Sequence, residues 1–99
     1  MPWMYILKCA DGSYYVGSTK DLEHRTWQHN QGTGAKFTKY RRPVELVYAE
    51  EFASLEEAYQ REKQVQNWSR AKREALIRGE FDRLPGLAKK DFNDTAPVE

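Results

Sequence analysis

Residues Tyr14–His29, YYVGSTKDLEHRTWQH, decide the fold. An aromatic-rich strand ends in Val16-Gly17 and leads directly into a helix whose inward face carries Arg25 and His29. A helix that docks on a core usually spends that face on leucine and valine. This one places a cation and an imidazole beside tyrosines, a combination suited to chemistry on a phosphate. Ser18-x-x-Asp21 has the form of a capping box, and Gly32 is a favourable residue just past a helix end. The spacing therefore predicts a helix over about 20–31. At 100° per residue, Leu22, Arg25, Thr26 and His29 share about 100° of arc, and the opposite side is polar apart from Trp27.

Working outward toward the N-terminus, Trp3–Cys9 (WMYILKC) is apolar on both alternating faces except at Lys8, the pattern of a strand covered on both sides. Ala10-Asp11-Gly12-Ser13 is a turn signal, because Asp-Gly supports the positive φ of tight hairpins. A three-residue loop with Gly12 left-handed pairs Tyr15 with Leu7 and puts Tyr5 and Tyr15 on one face. A two-residue Asp-Gly loop would send them to opposite faces. The odd loop is the expectation.

Toward the C-terminus, Gly32–Arg42 (GTGAKFTKYRR) reads as a loop with Lys36, Lys39, Arg41 and Arg42 interleaved with Phe37 and Tyr40. Cations for phosphates and rings for stacking suit a nucleic-acid groove. Pro43 opens a third strand, Val44–Glu50, with Val44, Leu46 and Tyr48 expected on one face. Ser54-Leu55-Glu56-Glu57 starts a second helix, running to about Trp68, with an apolar stripe of Leu55, Ala58, Tyr59 and Val65. Glu62 lies at the centre of that stripe. A lone ionised carboxylate there needs a cation, either an arginine such as Arg25 or a divalent metal. A shorter helix follows from Ser69 to about Arg78. Arg61, Lys63, Arg70, Lys72 and Arg73 form a second basic cluster where these two helices meet. From Gly79 the patterning weakens, with Phe81–Leu87 expected to pack back and the rest of 81–99 to form a partly disordered tail.

The 99 residues bound one domain, and acids nearly cancel bases to a net +1, so nucleic-acid binding must use a local patch. Cys9 is the only cysteine, which fits a reducing, cytoplasmic setting. No stretch approaches the roughly 18 apolar residues of a membrane span, and no signal segment is legible.

Taken together, Tyr5 in Trp3-Met4-Tyr5, then Tyr15-Val16-Gly17, Arg25, His29 one helical turn on, and Glu62 in Ala58-Tyr59-Gln60-Arg61-Glu62 resemble the GIY-YIG nuclease superfamily. The likeness covers about residues 2–78 and is nearest to its small, single-domain bacterial branch. Trp3-Met4 stands where the first motif has Gly-Ile. Ser18 stands where some relatives carry a lysine, with Lys20 nearby as a substitute. The resemblance implies an α/β fold with a small, mainly antiparallel three-stranded sheet flanked by about three helices over 1–80. It implies a metal-dependent endonuclease on DNA, structured or branched DNA included, using one Mg²⁺ or Mn²⁺ and leaving a 5′-phosphate and a 3′-hydroxyl. Glu62 is then the metal ligand, and Arg25 stabilises charge on the phosphoryl oxygens. Tyr5 sits beside the attacking water as base or as its immediate partner, with Tyr15 adjacent. His29 relays the proton or binds phosphate. Lys20, Lys36, Lys39, Arg41 and Arg42 bind substrate. A protein partner or homodimer would supply targeting. The rival readings are a nucleic-acid-binding module of the same shape without turnover, and a partner-binding protein in which Arg25 and Glu62 form a buried ion pair.

Overall fold

Met4, Tyr5, Ile6 and Leu7 are each at most 1% exposed, so strand β1 (Trp3–Lys8) is covered on both faces. It is the middle strand of an antiparallel sheet with order β2-β1-β3, where β2 is Tyr14–Thr19 and β3 is Glu45–Glu51. The computed structural model describes residues 1–80; the expected packing of 81–87 and the tail beyond lie outside them. Alternation along β1 divides the core. Met4 and Ile6 join Tyr14, Val16, Val65, Trp68 and Leu76 on one face. Tyr5 and Leu7 join Cys9 and Val44 on the other. Complete burial of a side chain such as Ile6 or Leu7 contributes about 1.5–3 kcal/mol.

The β1–β2 loop is the odd one. Leu7 pairs with Tyr15 and Tyr5 with Gly17. The Cys9 amide donates to Ser13 O at 2.8 Å, and Gly12 takes φ 86°. Asp11 stabilises this turn by accepting from the amide of Ser13 at 3.0 Å and its hydroxyl at 2.6 Å.

Helix α1 (Leu22–Gln31) starts later than the capping box suggests. Asp21 is its N-cap, accepting from the His24 amide at 3.1 Å, so Ser18 stays in β2 with its hydroxyl free to turn elsewhere. Its C-terminus closes as expected, with Gly32 left-handed at φ 85°. The segment read as a continuous loop contains one helical turn, α2 (Lys36–Lys39). Helix α3 (Leu55–Gln66) starts at Ser54, which accepts from the Glu57 amide at 3.2 Å. Helix α4 (Arg70–Ile77) is capped by Ser69. Helices α1 and α2 supply side chains to the Tyr5 face and α3 and α4 to the Ile6 face.

Two packing expectations are corrected. The β1–β3 register shifts between Ile6 and Leu7, so Leu46 pairs with Leu7 while Tyr48 pairs with Ile6. That bulge places Tyr48 on the face opposite Val44 and Leu46. On α3, only Ala58 and Val65 of the predicted stripe are buried. Leu55 is 40% and Tyr59 51% exposed, because the helix presents the line Ala58, Glu62, Val65 to the sheet.

Candidate active site

The β1–β2 register aims Tyr5 and Tyr15 at the same side, and α1 lays His29 across them. Ring centroids are 6.3 Å apart for Tyr5–Tyr15, 5.9 Å for Tyr5–His29 and 4.9 Å for Tyr15–His29. This approach needs two glycines. A Cβ on Gly17 would stand 2.6 Å from the Tyr5 hydroxyl, and one on Gly34 would stand 2.5 Å from His29 Nδ1.

His29 is fully buried, and its tautomer follows from its partners. Its Nδ1 lies 2.7 Å from Thr38 Oγ1, whose own hydrogen goes to the carbonyl of Ala35 at 3.1 Å. Nδ1 is therefore the protonated nitrogen and donates to Thr38. Nε2, 2.9 Å from the Tyr5 oxygen, then accepts the phenol hydrogen. Burial, reinforced by the Arg25 charge, lowers the imidazole to about 4, so it is neutral at pH 7. Burial and the neighbouring Tyr15 push the Tyr5 phenol above the ordinary tyrosine range, with Arg25 opposing them. Arg25 thus favours a Tyr5 phenolate and Tyr15 disfavours it. Burial likewise raises Tyr15, again opposed by Arg25.

Arg25 is half-buried. It donates to Gln28 Oε1 at 3.2 Å and to the carbonyl of Gly34 at 3.1 Å, which leaves further N–H groups of its planar fork for an anion. No ion pair among the described residues joins Arg25 to Glu62, which removes the basis of the buried-pair reading. Glu62 belongs to α3, across the edge of β2. Ser18 Oγ donates to its Oε1 at 2.7 Å and Gln66 Nε2 to its Oε2 at 2.9 Å. Its charge still reaches Tyr5 and Tyr15, raising both. The structure thus brings Tyr5, Tyr15 and His29 into contact, with Arg25 beside the phenols and Glu62 at the strand edge.

The donor set at Glu62 fits a hard divalent cation. Both hydrogen-bond donors on the carboxylate are neutral, Lys63 Nζ forms a looser ion pair with Oε2 at 3.7 Å, and an ionised carboxylate has lone pairs beyond the two that the donors use. Mg²⁺ typically needs only one or two protein carboxylates, with water and phosphate oxygens completing its shell. Among the described residues no cluster of three or more His, Cys, Asp or Glu could hold a metal ion by itself, so Glu62 would be the single protein carboxylate of such a site.

The predicted substrate cations separate by geometry. Lys36 and Lys39 are exposed beside a groove of about 280 Å³ that Tyr40, 75% exposed, also lines. Lys20 lines another, of about 400 Å³, with Ser18, Leu55 and Tyr59. Arg41 instead bridges Asp11 at 3.2 Å and lies 4.0 Å over the Phe37 ring. Arg42 donates to the carbonyls of Lys39 at 2.9 Å and Asn30 at 3.3 Å. In the second cluster, Lys72 and Arg73 are buried, Lys72 over the Trp68 ring and Arg73 donating to the Trp68 carbonyl. Residues that sequence reasoning missed are Thr38, Gly34, Gln66, and Ser18 as a partner of Glu62. A Gly-x-Gly just after the helix was the only available signal, and it pointed to Gly34.

The profile of the GIY-YIG catalytic domain matches residues 1–75. A UPF0213 protein of Bacillus pumilus is 52% identical over 75 residues, covering 76% of this chain and 76% of that protein. One from Staphylococcus saprophyticus is also 52% identical over 75 residues, covering 76% of this chain and 92% of its own. The solution NMR structure of a UPF0213 protein from Bacillus halodurans matches with TM-score 0.50 at 45% identity, covering 78% of this chain and 83% of that one.

Proposed function

The chain belongs to the GIY-YIG catalytic-domain family, and from that premise we propose that it is a metal-dependent endonuclease hydrolysing phosphodiester bonds in DNA. The observation that carries this reading is the Tyr5–His29 hydrogen bond at 2.9 Å, with Arg25 beside it. A neutral imidazole that already accepts the phenol hydrogen offers a path for a proton. As a water attacks phosphorus, its proton passes to the Tyr5 oxygen while the phenol hydrogen moves to His29 Nε2. Thr38 holds the ring for that transfer by accepting from Nδ1. Arg25 donates to the phosphoryl oxygens, where its charge stabilises the transition state. Because Arg25 is one cause of the weak basicity of His29, a bound phosphate partly cancels that effect and makes the imidazole a better acceptor. Glu62 would hold one divalent ion, Mg²⁺ or Mn²⁺, which when bound polarises the scissile phosphate. By family likeness the products are a 5′-phosphate and a 3′-hydroxyl.

Lys20, Lys36 and Lys39, exposed beside the two surface grooves, are assigned to the DNA backbone, with Arg41 and Arg42 shaping the loop that carries two of them. The setting proposed is the bacterial cytoplasm, with targeting supplied by a protein partner or a second copy. No helix among the described residues is long and apolar enough to cross a membrane.

A second reading, a DNA-binding module with little turnover, draws on one observation: Tyr5 and His29 are both buried, which raises the phenol and lowers the imidazole and so disfavours the charged form of each. Cleavage assays on single-stranded, duplex and branched DNA decide between the two. The nuclease reading expects Mg²⁺- or Mn²⁺-dependent cleavage that EDTA stops and that Glu62→Ala and Arg25→Ala each abolish. Cleavage surviving both substitutions would sink it. Salt-sensitive binding without cleavage would favour the module.

A further inference from the structure

We propose that Ser18 and Gln66 are positioning residues for Glu62, a role that rests on Glu62 being the metal carboxylate. Each of its oxygens takes one hydrogen bond from a different element: Oε1 from Ser18 Oγ of β2 at 2.7 Å, Oε2 from Gln66 Nε2 of α3 at 2.9 Å. Gln66 stands one helical turn after Glu62, and the same Nε2 also donates to the carbonyl of Val16 at 3.1 Å. A carbonyl can only accept, so the Gln66 amide is fixed with its NH₂ toward the strand and both hydrogens used. The carboxylate is therefore tied to residues 16 and 18, on either side of Gly17.

That placement has a mechanical meaning. Gly17 faces Tyr5 across the ladder, and its bare Cα sets where the phenol lies. Val16 and Ser18 set where the carboxylate lies. One tripeptide thus spaces the metal side of the site against the proton-accepting side.

The clamp is also neutral. An arginine in direct contact would orient the carboxylate as well, but its charge would compete with an incoming cation. The nearest cation, Lys63 Nζ, stands back at 3.7 Å and is half exposed. Ligating carboxylates are commonly oriented in this way by hydrogen bonds from behind, and losing such a partner weakens metal binding about 10–100-fold.

The test is a Mn²⁺ titration of the ¹⁵N-labelled protein, reading paramagnetic broadening of the amides around Glu62. Wild type, Ser18→Ala, Ser18→Thr, Gln66→Leu and Glu62→Gln are compared, each with a melting curve taken without metal. Ser18→Ala and Gln66→Leu are expected to need about tenfold more Mn²⁺ for equal broadening, with Ser18→Thr restored to within about threefold of wild type. Should Gln66→Leu prove unfolded, the Ser18 pair decides alone. Titrations of Ser18→Ala that match wild type, while Glu62→Gln abolishes broadening, overturn the clamp and leave the metal reading intact. Wild type broadening no more than Glu62→Gln overturns both, because Glu62 then holds no metal.

Discussion

Gly17 lies directly opposite Tyr5 in the β1–β2 ladder, and the Tyr5 ring folds over the space where a side chain would stand. The ring cannot swing clear, since its hydroxyl is bonded to His29 and its surroundings are packed. Gly17→Ala should therefore displace the phenol, lower cleavage more than tenfold, and cost about 1–3 kcal/mol by overpacking. Turnover assays with urea unfolding check this. A variant that cleaves like wild type would show that the hydroxyl position does not matter.

Tyr5→Phe keeps the ring and removes only the group proposed to take the water proton. Cleavage should fall about 10²–10⁴-fold while DNA affinity holds. Stability should drop by about 1–3 kcal/mol, because His29 Nε2 is left buried without its donor. A loss of affinity matching the loss of rate would reassign Tyr5 to binding.

Acid should unfold this protein through His29. Its folded value, about 4, lies below the ordinary value of 6.5, so the unfolded chain takes up the proton first as pH falls. Its contribution is complete above about pH 6.5 and is lost progressively toward pH 4, amounting to roughly 2–3 kcal/mol. Urea midpoints measured between pH 7.5 and 4 should show that slope, and His29→Gln should flatten it. An equal slope in His29→Gln would assign the acid sensitivity to other groups.

Lys36 and Lys39 should behave differently from Arg41. Each lysine replaced by glutamine should reduce the slope of log affinity against log salt by about one, as expected when a phosphate contact is lost. Arg41→Gln should instead lower the melting temperature and leave that slope unchanged, since it gives up the Asp11 bridge and the Phe37 stack. Fluorescence anisotropy at several salt concentrations separates the two outcomes.

Much of this arrangement was legible because it depends on periodicity and turn chemistry. An odd loop around Asp11-Gly12 places Tyr5 and Tyr15 together, and one helical turn from Arg25 brings His29 over them. Other features left no mark in the pattern. A bulge is one extra residue in an apolar run, so nothing in VELVYAE says that Tyr48 changes face. Arg41 and Arg42 read as free cations, because hydrogen bonds to carbonyls and a ring stack depend on the path of the folded chain. Ser18 fitted a cap by spacing, but Asp21 is the better placed acceptor, and that releases Ser18 to Glu62. Thr38 had no signal, since a threonine in a basic segment gives no hint of an imidazole behind it.

The place of β1 between its two neighbours also governs motion. Its backbone is hydrogen-bonded on both sides and Met4, Tyr5, Ile6 and Leu7 are buried on its two faces, so the amides of these four residues are expected to exchange with solvent slowly. Tyr5 is thereby anchored in the middle strand of the sheet, whereas Lys36 and Lys39 ride on a single helical turn at the surface. The phenol is therefore expected to hold its station more firmly than these lysines hold theirs, so that grip on a ligand can change without disturbing the geometry around Tyr5 and His29.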